Sequence, residues 1–239
     1  MTYQTICNMK LKKTDIAKGS PEWNILFKGL DTDDYFKRSL ATDVLYALGD
    51  VSALLDRKRP KVLIVGTRDL RHYEAAYVYD IIKALSQNPS KPVVISGLAL
   101  GTDTIVHQAA LSHGLATIAV LPTGLDMIYP NNNKSLAERI ATTPGCALLT
   151  QFKEKTSPIA LNFVVRTILM TLLSDIAVIP FSKKKGSSMI AARMMNELDR
   201  GDSTYALPGR IDDVNSEGCN QLIRTGLAQL LDLETLKII

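Results

Sequence analysis

The sequence predicts a doubly wound α/β protein, because short apolar runs and helical patterns alternate along most of the chain. Runs of this kind that are rich in β-branched residues mark strands, and most are followed by Gly, Ser or Pro. The predicted strands are Val62 to Val65, Val93 to Ile95, Thr117 to Leu121, Ala147 to Thr150, Ile176 to Ile179 and Thr204 to Leu207. The predicted helices between them are Glu74 to Leu85, Thr104 to His113, Lys134 to Ala141, Phe163 to Leu173 and Ser188 to Leu198.

The predicted strands are apolar throughout, which indicates that both of their faces are buried, as in a parallel sheet covered by helices. The pattern therefore favours an extended Rossmann-like, mostly parallel sheet over residues 59–239. Residues 1–58 lack this rhythm and are interpreted as a short helical N-terminal extension, with one amphipathic helix from Asp33 to Leu48. A last helix is predicted from Asn220 to Leu231.

Composition is that of an ordinary globular protein, with 46% hydrophobic and 22% charged residues in a chain of 239. The net charge of +4 is compatible with a polyanionic partner without requiring one. Cys7, Cys146 and Cys219 are widely spaced and have no neighbouring His ligands, so we expect reduced thiols, no metal site and a cytoplasmic location. No signal peptide or membrane span is predicted.

Ligands of open parallel sheets bind beyond the carboxyl ends of the strands, so the loops that follow the strands are the candidate sites. The first such loop is Gly66-Thr67-Arg68, where the arginine is either a phosphate ligand or a solvated side chain. The second runs from Ser96 to Asp103 and opens a helix, which makes it a candidate phosphate cradle. Asp103 is expected to hold the loop backbone. The spacing matches neither a dinucleotide fingerprint nor a P-loop, so a glycine turn with a helix cap is the alternative.

Catalysis has little support in the sequence. His107 is a lone histidine, and packing is the favoured interpretation of its role over catalysis. The chain contains no GxSxG motif for a nucleophile. We therefore expect a binding protein rather than an enzyme.

Positive charge gathers in the later loops. Lys183, Lys184 and Lys185 precede Gly186 and Ser187 at the end of a predicted strand, where ammonium groups and helix N–H groups would face one phosphate region. A solvated lysine run is the equally weighted alternative.

Taken in order, these loops resemble the DNA-processing protein A (DprA/Smf) family over about Val44 to Leu227. The strongest matches are Ser96-Gly-Leu-Ala-Leu-Gly-Thr-Asp103 with His107, and Thr117-Ile-Ala-Val-Leu-Pro-Thr-Gly-Leu-Asp126 with Tyr129-Pro130. The resemblance implies a dimeric protein, with no nucleotide cofactor, that binds and protects single-stranded DNA and helps to load a RecA-type recombinase in DNA uptake or recombination. The resemblance also implies that a further set of residues has structural roles. They are His107, Gly124, Tyr129, Pro130, Pro208, Gly209, Gly218 and Asn220.

The resemblance also implies a set of DNA-contacting residues. They are Gly66, Thr67, Arg68, Ser96, Gly97, Leu98, Ala99, Gly101, Asp103, Phe163, Arg166, Lys183, Lys184, Lys185, Gly186 and Ser187. Phe163 would stack on a base, and the glycine loops and cations would hold phosphates.

One part of the family pattern is altered in this sequence. Where the family has Phe-Pro-x-Arg-Asn-Arg, this chain has Phe163-Val164-Val165-Arg166-Thr167-Ile168, so one arginine is missing. Lys153, Lys155 or the lysine run would compensate, or binding would be weaker. A C-terminal winged helix, frequent in the family, is not expected here.

Two other functions stay open from the residues alone. One is a nucleotide hydrolase related to the phosphoribohydrolases, but Pro180 to Ser187 lacks the PGGxGT-type loop and the catalytic Glu that follows it in those enzymes. The other is a sensor that binds a small nucleotide at the same loops.

Overall fold

The computed structural model describes residues 11–28 and 43–237, which form a nine-stranded sheet with helices on both faces. The strands are β1 Lys13–Ala17, β2 Val44–Gly49, β3 Lys61–Ile64, β4 Val93–Ser96, β5 Thr117–Val120, β6 Ala147–Thr150, β7 Ile176–Ile179, β8 Thr204–Ala206 and β9 Gln229–Leu230. The helices are α1 Pro21–Leu26, α2 Ser52–Leu55, α3 His72–Ser86, α4 Thr102–Ser112, α5 Lys134–Thr142, α6 Ala160–Leu172, α7 Ser188–Glu197 and α8 Glu217–Arg224.

The sheet order is β1-β2-β6-β5-β4-β3-β7-β8-β9, and β3 to β9 pair in parallel. The chain thus builds outwards from β3 on one side through β4, β5 and β6, and then crosses back to add β7, β8 and β9 on the other side. This is the doubly wound, mostly parallel architecture that the sequence predicts, and the predicted fold class is confirmed.

Side chains alternate between the two faces of the sheet, as the period of two in a strand requires. Leu63 faces one apolar layer, which α6 and α7 cover, whereas Val62 and Ile64 face a second layer with α3 and α4. A third cluster packs α5 over β5 and β6. Burial on both faces explains why these strands are apolar at every position. Among the described residues, no helix is both long and apolar enough to cross a bilayer.

The predicted helix from Asp33 to Leu48 is wrong at its carboxyl end, because Val44–Gly49 is a strand. Leu45, Ala47 and Leu48 are buried there, and β2 pairs antiparallel with both β1 and β6. Tertiary pairing overrides the helical spacing of the apolar residues. The rest of that predicted helix lies outside the described residues, and the proposed domain boundary after residue 58 stays a prediction.

The predicted C-terminal helix is also shorter than expected. It ends at Arg224, and Gly226 adopts a left-handed conformation with φ of +72°. The Leu227 amide donates 2.9 Å back to the Leu222 carbonyl oxygen, a hydrogen bond that closes the helix end. The chain then forms β9 at the edge of the sheet.

Candidate nucleic-acid interface

The candidate site lies where the direction of strand addition reverses, between β3 and its neighbour β7. At such a switch point the loops that leave the two strands diverge onto opposite faces and open a crevice. The two loops here contain Gly66 to Arg68 after β3, and Ser182 to Ser187 after β7. They are tied together by the Thr67 amide, which donates a 2.9 Å hydrogen bond to the Phe181 carbonyl oxygen.

A small crevice of about 360 Å³ separates these loops, and predicted site residues line it. The lining residues are Gly66, Thr67, Arg68, Asp69, Lys183, Gly186, Ser187 and Ser188. The Gly186 amide donates to the Lys183 carbonyl oxygen at 2.9 Å, which makes a turn just before α7 begins. This turn places Lys183 beside the crevice, with Nζ 3.5 Å from Asp69 Oδ2.

A larger groove of about 730 Å³, which we call the Phe163 groove, continues from this crevice. Its lining residues are Arg68, Ala160, Phe163, Val164, Lys184, Lys185, Gly186, Ser187, Met189, Ile190 and Arg193. The Arg68 guanidinium carbon lies 5.1 Å from the centroid of the Phe163 ring, and the Tyr129 ring meets the same ring edge-on at 5.8 Å. Phe163 is half-buried, so part of its ring faces the groove.

Charge in the Phe163 groove is positive and largely unpaired. Arg68, Lys184, Lys185 and Arg193 are exposed, and the lining contains no carboxylate or histidine. Over residues 11–28 and 43–237, no carboxylate oxygen lies within ion-pair distance of Lys184 or Lys185. The groove therefore combines an aromatic face with exposed cations, the two features on which proteins bind single-stranded nucleic acid.

The glycine loop from Ser96 to Asp103 is arranged differently, because most of it is packed inside the protein. Ser96 Oγ donates to the Ile64 carbonyl oxygen at 2.7 Å, and Leu98 is fully buried. The Ala99 amide donates to Asp103 Oδ2 at 3.1 Å, and the Thr102 amide donates to the Thr67 carbonyl oxygen at 3.1 Å. These amides already have protein acceptors, and Gly97 is also buried, whereas Ala99 and Gly101 are half-buried.

Arg166 lies beneath the groove rather than on its surface. Its side chain is only 4% exposed, and Nη1 lies 3.6 Å from the buried Asp103 Oδ2. The guanidinium occupies the space that a side chain at Gly97 would need, so a larger residue there would have to displace Arg166. Burial raises the pKa of the Asp103 carboxyl, and the positive charge of Arg166 opposes that rise. The guanidinium carbon also lies 5.9 Å from the centroid of the Phe163 ring, so Arg166 supports the ring from inside.

His107 is fully buried beside this pair. Its Nδ1 lies 2.8 Å from Thr117 Oγ1, and Nε2 has no hydrogen-bond partner in the described part of the chain. Burial, together with the charge of Arg166, lowers the pKa of His107 to about 3. The ring is therefore neutral at physiological pH and out of reach of any ligand in the groove.

The predicted structural residues hold the loops around the site. Gly218 donates its amide to the Ser182 carbonyl oxygen at 2.7 Å, an approach that a side chain would block. Asn220 bonds both the amide and the carbonyl oxygen of Gly209, next to the exposed Pro208. In the loop that follows β5, the buried Gly124 precedes the cis Tyr129–Pro130 peptide.

Two residues at the site were missed by the sequence analysis. Asn133 Nδ2 donates to the Leu98 carbonyl oxygen at 2.9 Å and to Thr104 Oγ1 at 2.8 Å, which fixes the glycine loop. Arg193 joins the groove because it lies one helical turn after Met189 on α7, a spacing that could have found it. Ile168 packs against the core, and neither Lys153 nor Lys155 lines the groove. Arg193 is the α7 cation that lines it.

The sheet order and the crevice at its switch point define a Rossmann-like α/β protein with a cationic, aromatic groove. The family model for DNA recombination-mediator protein A matches residues 34–238, and the chain belongs to that family. The resemblance to DprA and Smf proteins that the loop motifs indicate is thereby confirmed.

Individual relatives agree with this assignment. The chain is 35% identical over 183 residues to the DNA processing protein DprA of Streptococcus pneumoniae, a match that covers 77% of this chain and 61% of the relative. The solved structure of the S. pneumoniae protein aligns with a TM-score of 0.77 at 30% identity, over 95% of this chain and 73% of that one.

A structure reported for the single-stranded DNA binding mode of DNA processing protein A from Helicobacter pylori aligns with a TM-score of 0.75 at 29% identity. The alignment covers 95% of this chain and 94% of that one. The matches span only 46% to 62% of the length of the first three curated relatives.

Proposed function

We propose that this protein binds single-stranded DNA in the Phe163 groove. A base stacks on the exposed face of Phe163, while Arg68, Lys184, Lys185 and Arg193 contact the phosphates on either side of it. The single observation that carries this proposal is the half-buried aromatic ring among exposed cations at the switch point. The H. pylori relative, described as binding single-stranded DNA, supports it.

The groove favours single strands over duplex DNA. A base reaches the face of a ring only when it is not paired and stacked within a helix, so stacking on Phe163 selects for single strands. Contacts to phosphates supply affinity without sequence preference. We expect binding that is tight at low salt, weak in sequence preference and strongly reduced by salt.

We further propose that the protein acts without catalysing a reaction. The lining of the Phe163 groove offers no carboxylate or imidazole for proton transfer, and His107 is buried and neutral. These features disfavour a nucleotide hydrolase. The same features are compatible with a nucleotide sensor, which the binding experiment below separates from strand binding.

The cellular role that we propose follows from membership of the family. The protein acts in the cytoplasm as a dimer, protects incoming or exposed single strands and delivers them to a RecA-type recombinase. Light scattering checks the dimer, and a monomeric mass at working concentration would contradict it. Recombinase assembly on strands coated with this protein, followed by electron microscopy, checks the delivery step.

The first experiment is fluorescence anisotropy of a labelled oligo-dT and of a matching duplex, titrated with the protein at low and moderate salt. We expect a preference for the single strand of at least about tenfold, because one stacked base contributes roughly 1–3 kcal/mol. Equal binding of both DNAs would overturn the stacking mechanism. Binding of nucleoside monophosphates without binding of oligo-dT would favour the sensor.

A pair of variants with equal charge loss locates the strand. Arg68→Ala removes the guanidinium over Phe163, whereas Arg139→Ala removes an exposed guanidinium on α5, which does not line the groove. We expect the first to weaken oligo-dT binding about tenfold and the second to change it by less than about twofold. Equal effects would show that the strand binds through net charge rather than in the groove.

A further inference from the structure

A second cationic pocket lies at the opposite edge of the sheet, where the parallel strands begin. It has a volume of about 250 Å³, and the cations that line it are Lys28, Arg57, Lys61 and Arg200. Lys61 is the first residue of β3, and Asp175 directly precedes β7, so the pocket sits at the amino ends of the same two strands whose carboxyl ends form the crevice. A four-residue strand spans about 13 Å, so one phosphate cannot contact both edges.

Two of the four cations of this amino-edge pocket are held in place by backbone carbonyl groups. Lys61 Nζ donates to the Asp56 carbonyl oxygen at 2.6 Å, and Arg200 Nη1 donates to the Ser174 carbonyl oxygen at 2.5 Å. A backbone carbonyl fixes a cation without neutralising its charge. Within the described ranges, none of the four has a carboxylate oxygen at ion-pair distance.

Asp175 is the one carboxylate in the lining, and one of its oxygens already accepts a hydrogen bond from the protein. Its Oδ2 accepts a 2.8 Å hydrogen bond from the Lys61 backbone amide. Four positive charges against one negative charge leave the lining at +3. Burial lowers the pKa of the Lys61 ammonium, the carboxylates of Asp175 and Asp56 oppose that shift, and the nearby Arg59 and Arg57 add to it.

Apolar side chains form part of the pocket wall. Leu54, Leu172 and Leu173 are buried side chains that also line it, next to the half-buried Ile25 and Leu26 at the end of α1. The buried leucines exclude water from their side of the pocket, which strengthens the attraction between the fixed cations and an anion that enters. The volume suits one phosphate or pyrophosphate group with the start of an organic substituent, and is too small for a folded partner.

We propose that the amino-edge pocket is a second anion site, which binds a phosphate or diphosphate group independently of the Phe163 groove. The phosphate comes either from a small compound, such as a nucleotide, or from the backbone of a nucleic acid. Lys61 and Arg200 are the preorganised ligands, and the exposed Lys28 and Arg57 close on the anion from the rim.

Calorimetric titration with pyrophosphate and with dTMP tests the first source. The test variant is Lys28→Gln with Arg57→Gln, and the control is Lys83→Gln with Arg139→Gln, which removes the same charge from exposed positions outside the pocket. We expect at least one of the two probes to bind, with affinity reduced about tenfold in the test variant and unchanged in the control. Arg68→Ala should leave this binding unchanged, which separates the pocket from the Phe163 groove.

The single tryptophan of the chain offers a second readout. Trp23 lies on α1, two residues before Ile25 in the wall of the pocket, so its fluorescence should change on titration with the probe that binds. All four substituted residues are exposed, and a melting temperature within about 2 °C of the unmodified protein would confirm that folding is intact.

Oligo-dT binding tests the second source. If a nucleic-acid backbone occupies the pocket, the slope of log K against log salt should fall by about 0.7 for each phosphate that the test variant no longer neutralises, and this fall should exceed that of the control. Probe binding that the test variant weakens, with an unchanged slope, would identify a small phosphate compound. A lowered slope without such probe binding would identify the backbone. The second site would be overturned if the test variant and the control showed the same probe affinity, or no probe binding at all, and the same slope.

Discussion

The loops after β4 and after β7 have similar sequence character, yet the structure uses them in opposite ways. Both contain glycine and a hydroxyl residue, and both open a helix. The loop after β4 is closed around the buried Asp103–Arg166 pair, and its amides bond to protein oxygens. The loop after β7 projects Lys183, Lys184 and Lys185 into solvent. A glycine-rich turn before a helix therefore does not by itself mark the ligand contact.

The difference arises from the residues that cover the first loop and leave the second exposed to solvent. Gly97 is covered by the Arg166 side chain from α6, and Gly101 by the backbone at Thr67 and Arg68. The three lysines, by contrast, are exposed. We infer that the first loop sets the shape of the site and that the second supplies its charge, and four predictions test this division of labour.

The largest effect should come from breaking the buried pair. Asp103→Ala leaves the Arg166 charge buried without its carboxylate, and we expect the free energy of unfolding to fall by about 3–5 kcal/mol. Urea denaturation measures the loss. Adding Arg166→Met to that variant should recover part of it, because no uncompensated charge remains. A single variant as stable as the unmodified protein would show that the loop does not depend on the pair.

The second-largest effect should be a loss of folding stability at acid pH. The unfolded chain protonates His107 below about pH 6.5, whereas the folded chain does so only near pH 3. The unfolded state therefore binds more protons as pH falls through this window, and stability decreases by up to about 1.4 kcal/mol per pH unit. We expect the pH dependence of the free energy of unfolding between pH 6.5 and 5 to be shallower in His107→Gln. Identical slopes would show that His107 does not titrate in this way.

A smaller effect is expected from the aromatic ring that both loops border. Phe163→Leu keeps an apolar side chain but removes the stacking face, so oligo-dT affinity should fall about tenfold with little change in stability. Anisotropy measures the affinity, and Phe163→Trp is the matched variant that restores a stacking surface. If the Phe163→Leu variant binds oligo-dT as tightly as the unmodified protein, the ring contributes through its burial and not through stacking.

The smallest effect on stability should come from the loop after β7. Changing Lys183, Lys184 and Lys185 together to Ala should alter the free energy of unfolding by less than about 0.5 kcal/mol, because the side chains are exposed. The slope of log K for oligo-dT against log salt should nevertheless fall by up to about 2. An unchanged slope with a large loss of stability would reverse the roles that we assign to the two loops.

Much of the fold could be predicted from the sequence. The strands Val62 to Val65 and Ile176 to Ile179 are found within one residue of their predicted ends, because strands buried on both faces must be apolar at every position. The strand Val44–Gly49 could not be predicted in this way. Its neighbours β1 and β6 are distant in the chain, and its pairing with them decides its conformation.

The candidate site also contains residues that the sequence predicted and residues that it did not. Loop patterns indicated Arg68 and the lysine run as ligand contacts, and the family resemblance indicated Phe163. These residues lie around the crevice and the Phe163 groove that continues from it. Arg166 was expected on the same surface but lies beneath it, and Asn133 and Arg193 were overlooked. Which side of a helix faces the groove depends on how α6 and α7 pack on the sheet, and no local pattern contains that information.

The sequence by itself determined the order of strands and helices from β3 to β8, the parallel character of that part of the sheet and the loops that reach its carboxyl edge. These follow from hydrophobic periodicity and turn chemistry, which act between residues close in the chain. Only the tertiary structure decided which polar residues of those loops are buried and which meet solvent. That outcome depends on contacts between residues far apart in the chain, such as Arg166 with Asp103 and Asn133 with Leu98.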